Sequence, residues 1–158
     1  MDAVTYPDAR VQQLINDKFS AIKLNLREPR PETRDLLRRV KPQWAPLFLF
    51  LDPRGTELRR YIGWLAPDEF LAELTFVLGM QDLVRARIES ALQNFRAAAD
   101  QYPDASVAAE AMFFAGAAAY KLGGLDALRP AWDELVRRYP ESTWARRANV
   151  WDMVTPPA

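Results

Sequence analysis

The chain has 158 residues, with 21 Lys and Arg against 21 Asp and Glu, so no net charge draws it to nucleic acid or to an acidic membrane surface. It contains no cysteine and no histidine, which excludes disulfides, thiol redox chemistry, thiolate zinc sites and imidazole acid–base catalysis by its own side chains. The length allows one or two domains with a real core. No apolar run reaches membrane-spanning length and Met1-Asp2-Ala3 does not open a signal peptide, so the chain as written is expected in the cytoplasm.

In chain order, Thr5-Tyr6-Pro7-Asp8 reads as a turn or a kinked helix end, after which Val11, Leu14, Ile15 and Phe19 recur at helical spacing. Ala21 to Leu26 alternates as a strand, and Arg27 to Pro31 is a loop. Pro31-Glu32-Thr33 starts a short helix with Leu36, Leu37 and Val40 on its apolar face; it ends before Pro42, because the residue ahead of a proline disfavours the helical region. Leu47-Phe48-Leu49-Phe50-Leu51 is a short unbroken apolar run suited to a strand buried on both faces. Asp52-Pro53-Arg54-Gly55 carries turn chemistry, and Thr56 to Ile62 alternates, with Leu58, Arg60 and Ile62 on one face. The pair predicts a hairpin. Trp44-Ala45-Pro46 puts a proline at the strand entrance, where an X–Pro bond has access to the cis form. Ala66-Pro67-Asp68-Glu69 then opens a helix with its acids toward the positive end of the dipole.

A proline at the strand mouth, a strand ending in Asp, a Gly in the turn, a second strand ending in Gly and a closing helix resemble the C-terminal half of a thioredoxin fold. The residues that carry the resemblance are Pro46, Asp52, Gly55, Gly63 and Pro67 to Leu78, and it covers roughly residues 1 to 80. It implies a first strand and a Cys-x-x-Cys motif ahead of the first helix. Two readings follow: a three-stranded, non-catalytic domain that begins at Met1, or the body of a thiol–disulfide oxidoreductase whose redox motif lies upstream.

From about residue 75 the composition turns to Ala, Leu and Arg, and an internal repeat emerges. Phe76-Val77-Leu78-Gly79 matches Phe113-Phe114-Ala115-Gly116, Phe95 matches Trp132, and Tyr102-Pro103-Asp104 matches Tyr139-Pro140-Glu141, each pair 37 positions apart. Leu78-Gly79, Ala91-x3-Phe95 and Pro103, echoed by Ala115-Gly116, Leu128-x3-Trp132 and Pro140, resemble the tetratricopeptide signature, at a period longer than its usual ~34 residues. The Tyr-Pro-acid-Ser-x-x-Ala form is similar to a longer repeat subtype of bacterial helical scaffold proteins. Gly79, Gly116, Ala91 and Ala98 are small where paired helices approach, and Phe95 and Trp132 fill the gap between layers. Gly123-Gly124 ends one helix so that the next folds back. Asp104 and Ser106, then Glu141 and Ser142, are candidate helix caps. Trp144, Ala148 and Trp151 form the inner face of a capping helix, and Thr155 to Ala158 is a tail.

The fold class expected is α+β: a truncated thioredoxin-like domain over 1–80, then an all-α tetratricopeptide-like repeat region over 81–154, with the helix of 68–80 shared between them. No catalytic residue, cofactor or metal is expected. Asp52 reads as a turn residue, and Asp68 and Glu69 as helix caps. Arg34, Arg38, Arg39, Lys41, Arg54, Arg59 and Arg60 read as a solvated surface rather than a phosphate cradle, and Arg137-Arg138 and Arg146-Arg147 as solvent-facing. The function expected is a non-catalytic interaction module, binding a peptide or protein on the concave helical face at Phe113, Ala117 and Tyr120 or at an unpaired sheet edge. Trp44 and Pro46 form a second candidate peptide site, with core packing as the default for Trp44. A homodimer that completes the sheet is the remaining partner expected, and neither nucleic acid nor membrane is.

Overall fold

The computed structural model describes residues 1–28 and 30–151, and the tail expected over Thr155 to Ala158 lies outside them. The described residues form six α-helices and one two-stranded antiparallel sheet, a mixed α+β composition. They divide into two compact units, the second beginning at Asp68.

The first unit begins with a turn that leads into helix α1, Ala9–Lys18. Asp8 caps it: its carboxylate accepts from the backbone N–H groups of Arg10 and Val11 and from the Arg10 guanidinium. Those hydrogen bonds, that of the Arg10 side chain above all, hold the Asp8 carboxyl at about 2, below its usual 3.8. Thr5 is fully buried, and its hydroxyl donates to the carbonyl of Leu65 at 2.5 Å, tying the N-terminal turn to the segment after the hairpin. A 3-10 turn, Pro31–Thr33, runs into helix α2, Arg34–Val40, which ends on Lys41 in the left-handed region.

Strand β1, Leu47–Leu51, and strand β2, Glu57–Ile62, form the expected hairpin, with Leu47 opposite Ile62 and Phe50 opposite Arg59. A bulge follows Phe50, so that Leu51 faces Glu57. The Asp52 carboxylate accepts from the N–H groups of Arg54 and Thr56, both at 2.8 Å, which closes the turn. The Ala45–Pro46 bond is cis. Phe50 meets Phe19 edge-on at 6.2 Å, and Arg60 donates to the Val40 carbonyl at 2.8 Å.

Two expectations for this unit are corrected. Ala21 to Leu26 is not a strand; the sheet has two strands, not three, among the described residues. Alternation gives a segment the shape of a strand, but a strand is defined by its hydrogen-bonded neighbour. This segment lacks one and leaves Ile22 72% exposed. The Leu47–Leu51 run is also not buried on both faces: its first four residues are half-buried and Leu51 is 41% exposed.

The second unit is helical. Helix α3, Pro67–Val84, is followed by α4, Ile88–Gln101; α5, Ala108–Arg138; and α6, Thr143–Ala148. α5 is two arms, 108–122 and 125–138, broken where Gly123 and Gly124 leave helical geometry. Gly124 has φ +66 and ψ −152, a combination close to glycine-only backbone.

The repeat is visible as packing. A β-carbon on Gly79 would lie 2.6 Å from the Phe95 ring, and one on Gly116 would collide with the Trp132 indole. Each glycine therefore lets one helix of a pair rest on the aromatic ring of the next. Phe76, Phe95 and Phe114 form a ring cluster with centroids 5.4 to 5.7 Å apart. Small residues at full burial, among them Ala91, Ala98, Ala108 and Ala111, let the helices close around it.

The caps are only partly those expected. Ser142 caps α6 by accepting from the Ala145 N–H at 2.9 Å. Neither Asp104 nor Ser106 caps α5, whose N-cap is Val107. Ser106 instead gives its N–H and hydroxyl to the Glu69 carboxylate at 3.0 to 3.1 Å. Glu69, read as a cap for its own helix, thus satisfies the turn that leads into the matching helix of the next repeat. A carboxylate in a first turn already has local donors within reach, but the packed neighbour presents two more donors in better geometry.

Candidate functional site

Phe113, Ala117 and Tyr120 sit at i, i+4 and i+7 on the first arm of α5, which places them on one face. Their exposure rises along it: Phe113 and Ala117 are half-buried and Tyr120 is 50% exposed. Phe113 is held firmly. Its ring stacks on Trp132 at 4.9 Å with 18° between planes, lies 5.1 Å from Trp144, and its carbonyl accepts from the Trp132 indole N–H at 3.2 Å. Beyond Tyr120, Leu122 and Leu125 are exposed on either side of the glycine break. The face therefore grades from an aromatic base packed on Trp132 and Trp144 to an exposed tip at Tyr120.

Trp44 and Pro46 lie at the mouth of the hairpin, where Gly63 donates its N–H to the Pro46 carbonyl at 2.9 Å. Trp44 is 71% exposed, so core packing, its default, is overturned. Trp64, just past the facing strand, is also exposed. Sequence alone favours burial for any tryptophan, because ring area dominates that expectation.

The cleft between α4 and the two arms of α5, floored by Met112, Ala115 and Ala131, holds about 60 Å³, far below the roughly 300 Å³ of a small-molecule pocket. Its rim is closed by charge: Arg138 donates to Asp100 at 2.6 Å and to the Ala99 carbonyl at 3.2 Å. That contradicts the solvent-facing reading of Arg138, whose side chain is only 28% exposed. Its neighbour Tyr139 donates to the Pro103 carbonyl at 2.9 Å. Arg147 lies over the Trp144 ring at 4.5 Å, so it too has a packing role.

Two of the carboxylates weighed from the sequence are already engaged. Asp52 is engaged by its turn, where the Thr56 N–H above all lowers its pKa, and Glu69 by Ser106. Asp82 escaped the sequence reading. It is 6% exposed, accepts from Ser90 and from Asn94, the latter at 2.9 Å, and pairs with Arg87. At the matching positions of the second repeat stand Ala119, Ala127, Ala131 and Gly124, so the knot is absent there and no periodic signal marks it. The basic residues around the hairpin are divided by acids: Arg38 pairs with Asp35 at 3.0 Å and Arg60 with Glu57 at 2.7 Å. No group of metal-ligating side chains occurs among the described residues, and no helix among them is long and apolar enough to cross a membrane.

Compared with known families, curated proteins and solved structures, the chain matches none.

Proposed function

We propose that this chain is a non-catalytic interaction module, a thioredoxin-like half joined to tetratricopeptide-like helical hairpins, which binds an extended or helical peptide segment on the face of α5 that carries Phe113, Ala117 and Tyr120. One observation carries the reading: Phe113 is locked by Trp132 and Trp144 while Tyr120, two turns along the same face, stands half in solvent. A rigid base beside an exposed aromatic is the arrangement from which interface anchors are built. Ala117 between them leaves room for a partner side chain. The 37-residue repeat supports the same reading, because a helical hairpin array buries its own joints and leaves one helix face for a partner.

The test is selection of linear peptides from a random display library on the intact chain. The selected peptides should lose binding at least tenfold to the Tyr120→Ala and Ala117→Glu variants, with the melting temperature of each variant unchanged within a few degrees. Selected peptides that bind both variants as well as the parent would sink the proposal.

A further inference from the structure

The hairpin presents one guarded and one unguarded edge. β2 reads Glu57-Leu58-Arg59-Arg60-Tyr61-Ile62, half of it charged, which is the usual protection of an exposed strand edge. β1 reads Leu47-Phe48-Leu49-Phe50-Leu51 and has no charge, proline or glycine within it. Its hydrogen-bonding phase follows from its pairing. Pro46 and Gly63 form a hydrogen-bonded pair, so by alternation Phe48 with Tyr61 and Phe50 with Arg59 do the same. The N–H and C=O groups of Leu47, Leu49 and Leu51 then point away from β2, and they make no backbone hydrogen bond outside the hairpin among the described residues.

The run is also a palindrome about Leu49. Laid antiparallel against a second copy of itself, Leu49 faces Leu49, Leu47 faces Leu51, and Phe48 faces Phe50. The three outward residues of one copy meet the three of the other, which makes roughly six ladder hydrogen bonds around a two-fold axis. The wide pairs between them set phenylalanine against phenylalanine on one side, where cross-strand aromatic contact is closest. No like charges come together, because neither run carries any.

We propose that β1 is a homodimer interface: two copies of this chain join β1 to β1 antiparallel, in register about Leu49, giving a four-stranded sheet with the charged β2 strands outermost. The partner argued for is a second copy because the run is palindromic, so that a two-fold axis through Leu49 pairs each outward residue with an apolar one and brings no charges together. The proposal concerns the hairpin and stands independently of the helical peptide face.

The experiment combines sedimentation equilibrium with amide hydrogen exchange on the full chain, from about 10 μM to about 1 mM, the range in which a modest interface is populated. The expected result is a monomer–dimer equilibrium in which the Leu47, Leu49 and Leu51 amides gain protection as concentration rises, while those of Phe48 and Phe50 are protected throughout. Leu51→Lys, at the exposed end of the run, should weaken the dimer about tenfold by setting an ammonium against Leu47 of the other copy, and leave the hairpin's own protection intact. A monomer throughout overturns the proposal. So does a dimer in which the Leu47, Leu49 and Leu51 amides exchange as they do on dilution, or one indifferent to Leu51→Lys, because the interface then lies elsewhere.

Discussion

Gly79 and Phe95 fit so closely that a single added carbon on the glycine would lie 2.6 Å from the ring, and Gly116 repeats the relationship with Trp132. Both glycines are in ordinary helix, so the requirement is one of space and not of backbone freedom.

Gly79→Ala and Gly116→Ala therefore set two effects against each other. Alanine gains about 1 kcal/mol of helix propensity, while overpacking a filled core costs roughly 1–3 kcal/mol. The added carbon would overlap the ring in each case, so the cost should prevail and each variant should lose up to about 2 kcal/mol in urea unfolding. Gly79→Ala combined with Phe95→Leu should lose less than the sum of the two single changes. A stabilised Gly79→Ala would mean the helices can part without cost.

At Gly124 the cause reverses. Nothing lies within 4 Å of a β-carbon there, but the backbone has φ +66 and ψ −152. Gly124→Ala should cost about 1–3 kcal/mol from conformation alone, and no second-site size change should rescue it. Rescue by trimming a neighbour would refute the backbone explanation.

Asp82 tests the polar knot between α3 and α4. Asp82→Ala strands the Ser90 and Asn94 donors and should cost about 2–3 kcal/mol. The triple change Asp82→Ala, Ser90→Ala, Asn94→Ala copies the alanines of the second repeat, and it should be less destabilising than the single change because no part-buried donor remains unpaired. Greater loss in the triple variant would show that the knot is worth more than its pairwise contacts.

Asp8 predicts a pH effect. Its carboxyl is held at about 2 in the folded chain against 3.8 ordinarily, chiefly by the Arg10 side chain. A depressed folded pKa gives stability that is present above the unfolded value and lost as pH falls through the folded one. Helix α1 should therefore loosen between about pH 4 and pH 2, and Asp8→Asn should flatten that part of the profile. A carboxyl carbon titrating near 4 by NMR would disprove the cap's effect.

Thr5 links sequence positions that nothing local connects. Thr5→Val keeps the shape and removes the hydroxyl that serves the buried Leu65 carbonyl, and it should cost about 1–3 kcal/mol. Thermal melting at unchanged cooperativity is the measurement, and a neutral result would mean that water replaces the hydroxyl.

The amino-acid sequence by itself determined the hairpin, the glycine break in α5 and the spacing that joins Gly79 to Phe95 and Gly116 to Trp132. Each of these rests on a signal carried within a few residues or repeated at a constant interval: turn chemistry, apolar runs, and small residues opposite large ones. Tertiary structure decided the rest. Ala21 to Leu26 alternates like a strand yet has no neighbour to pair with, Trp44 is apolar yet stands in solvent, and Glu69 serves Ser106 instead of its own helix. Asp82 and Thr5 are polar residues whose burial depends on partners elsewhere in the chain. Pattern within a segment fixes which shape it can take; whether a strand is paired, a ring covered or a carboxylate engaged depends on a second segment, and no periodicity in the first records it.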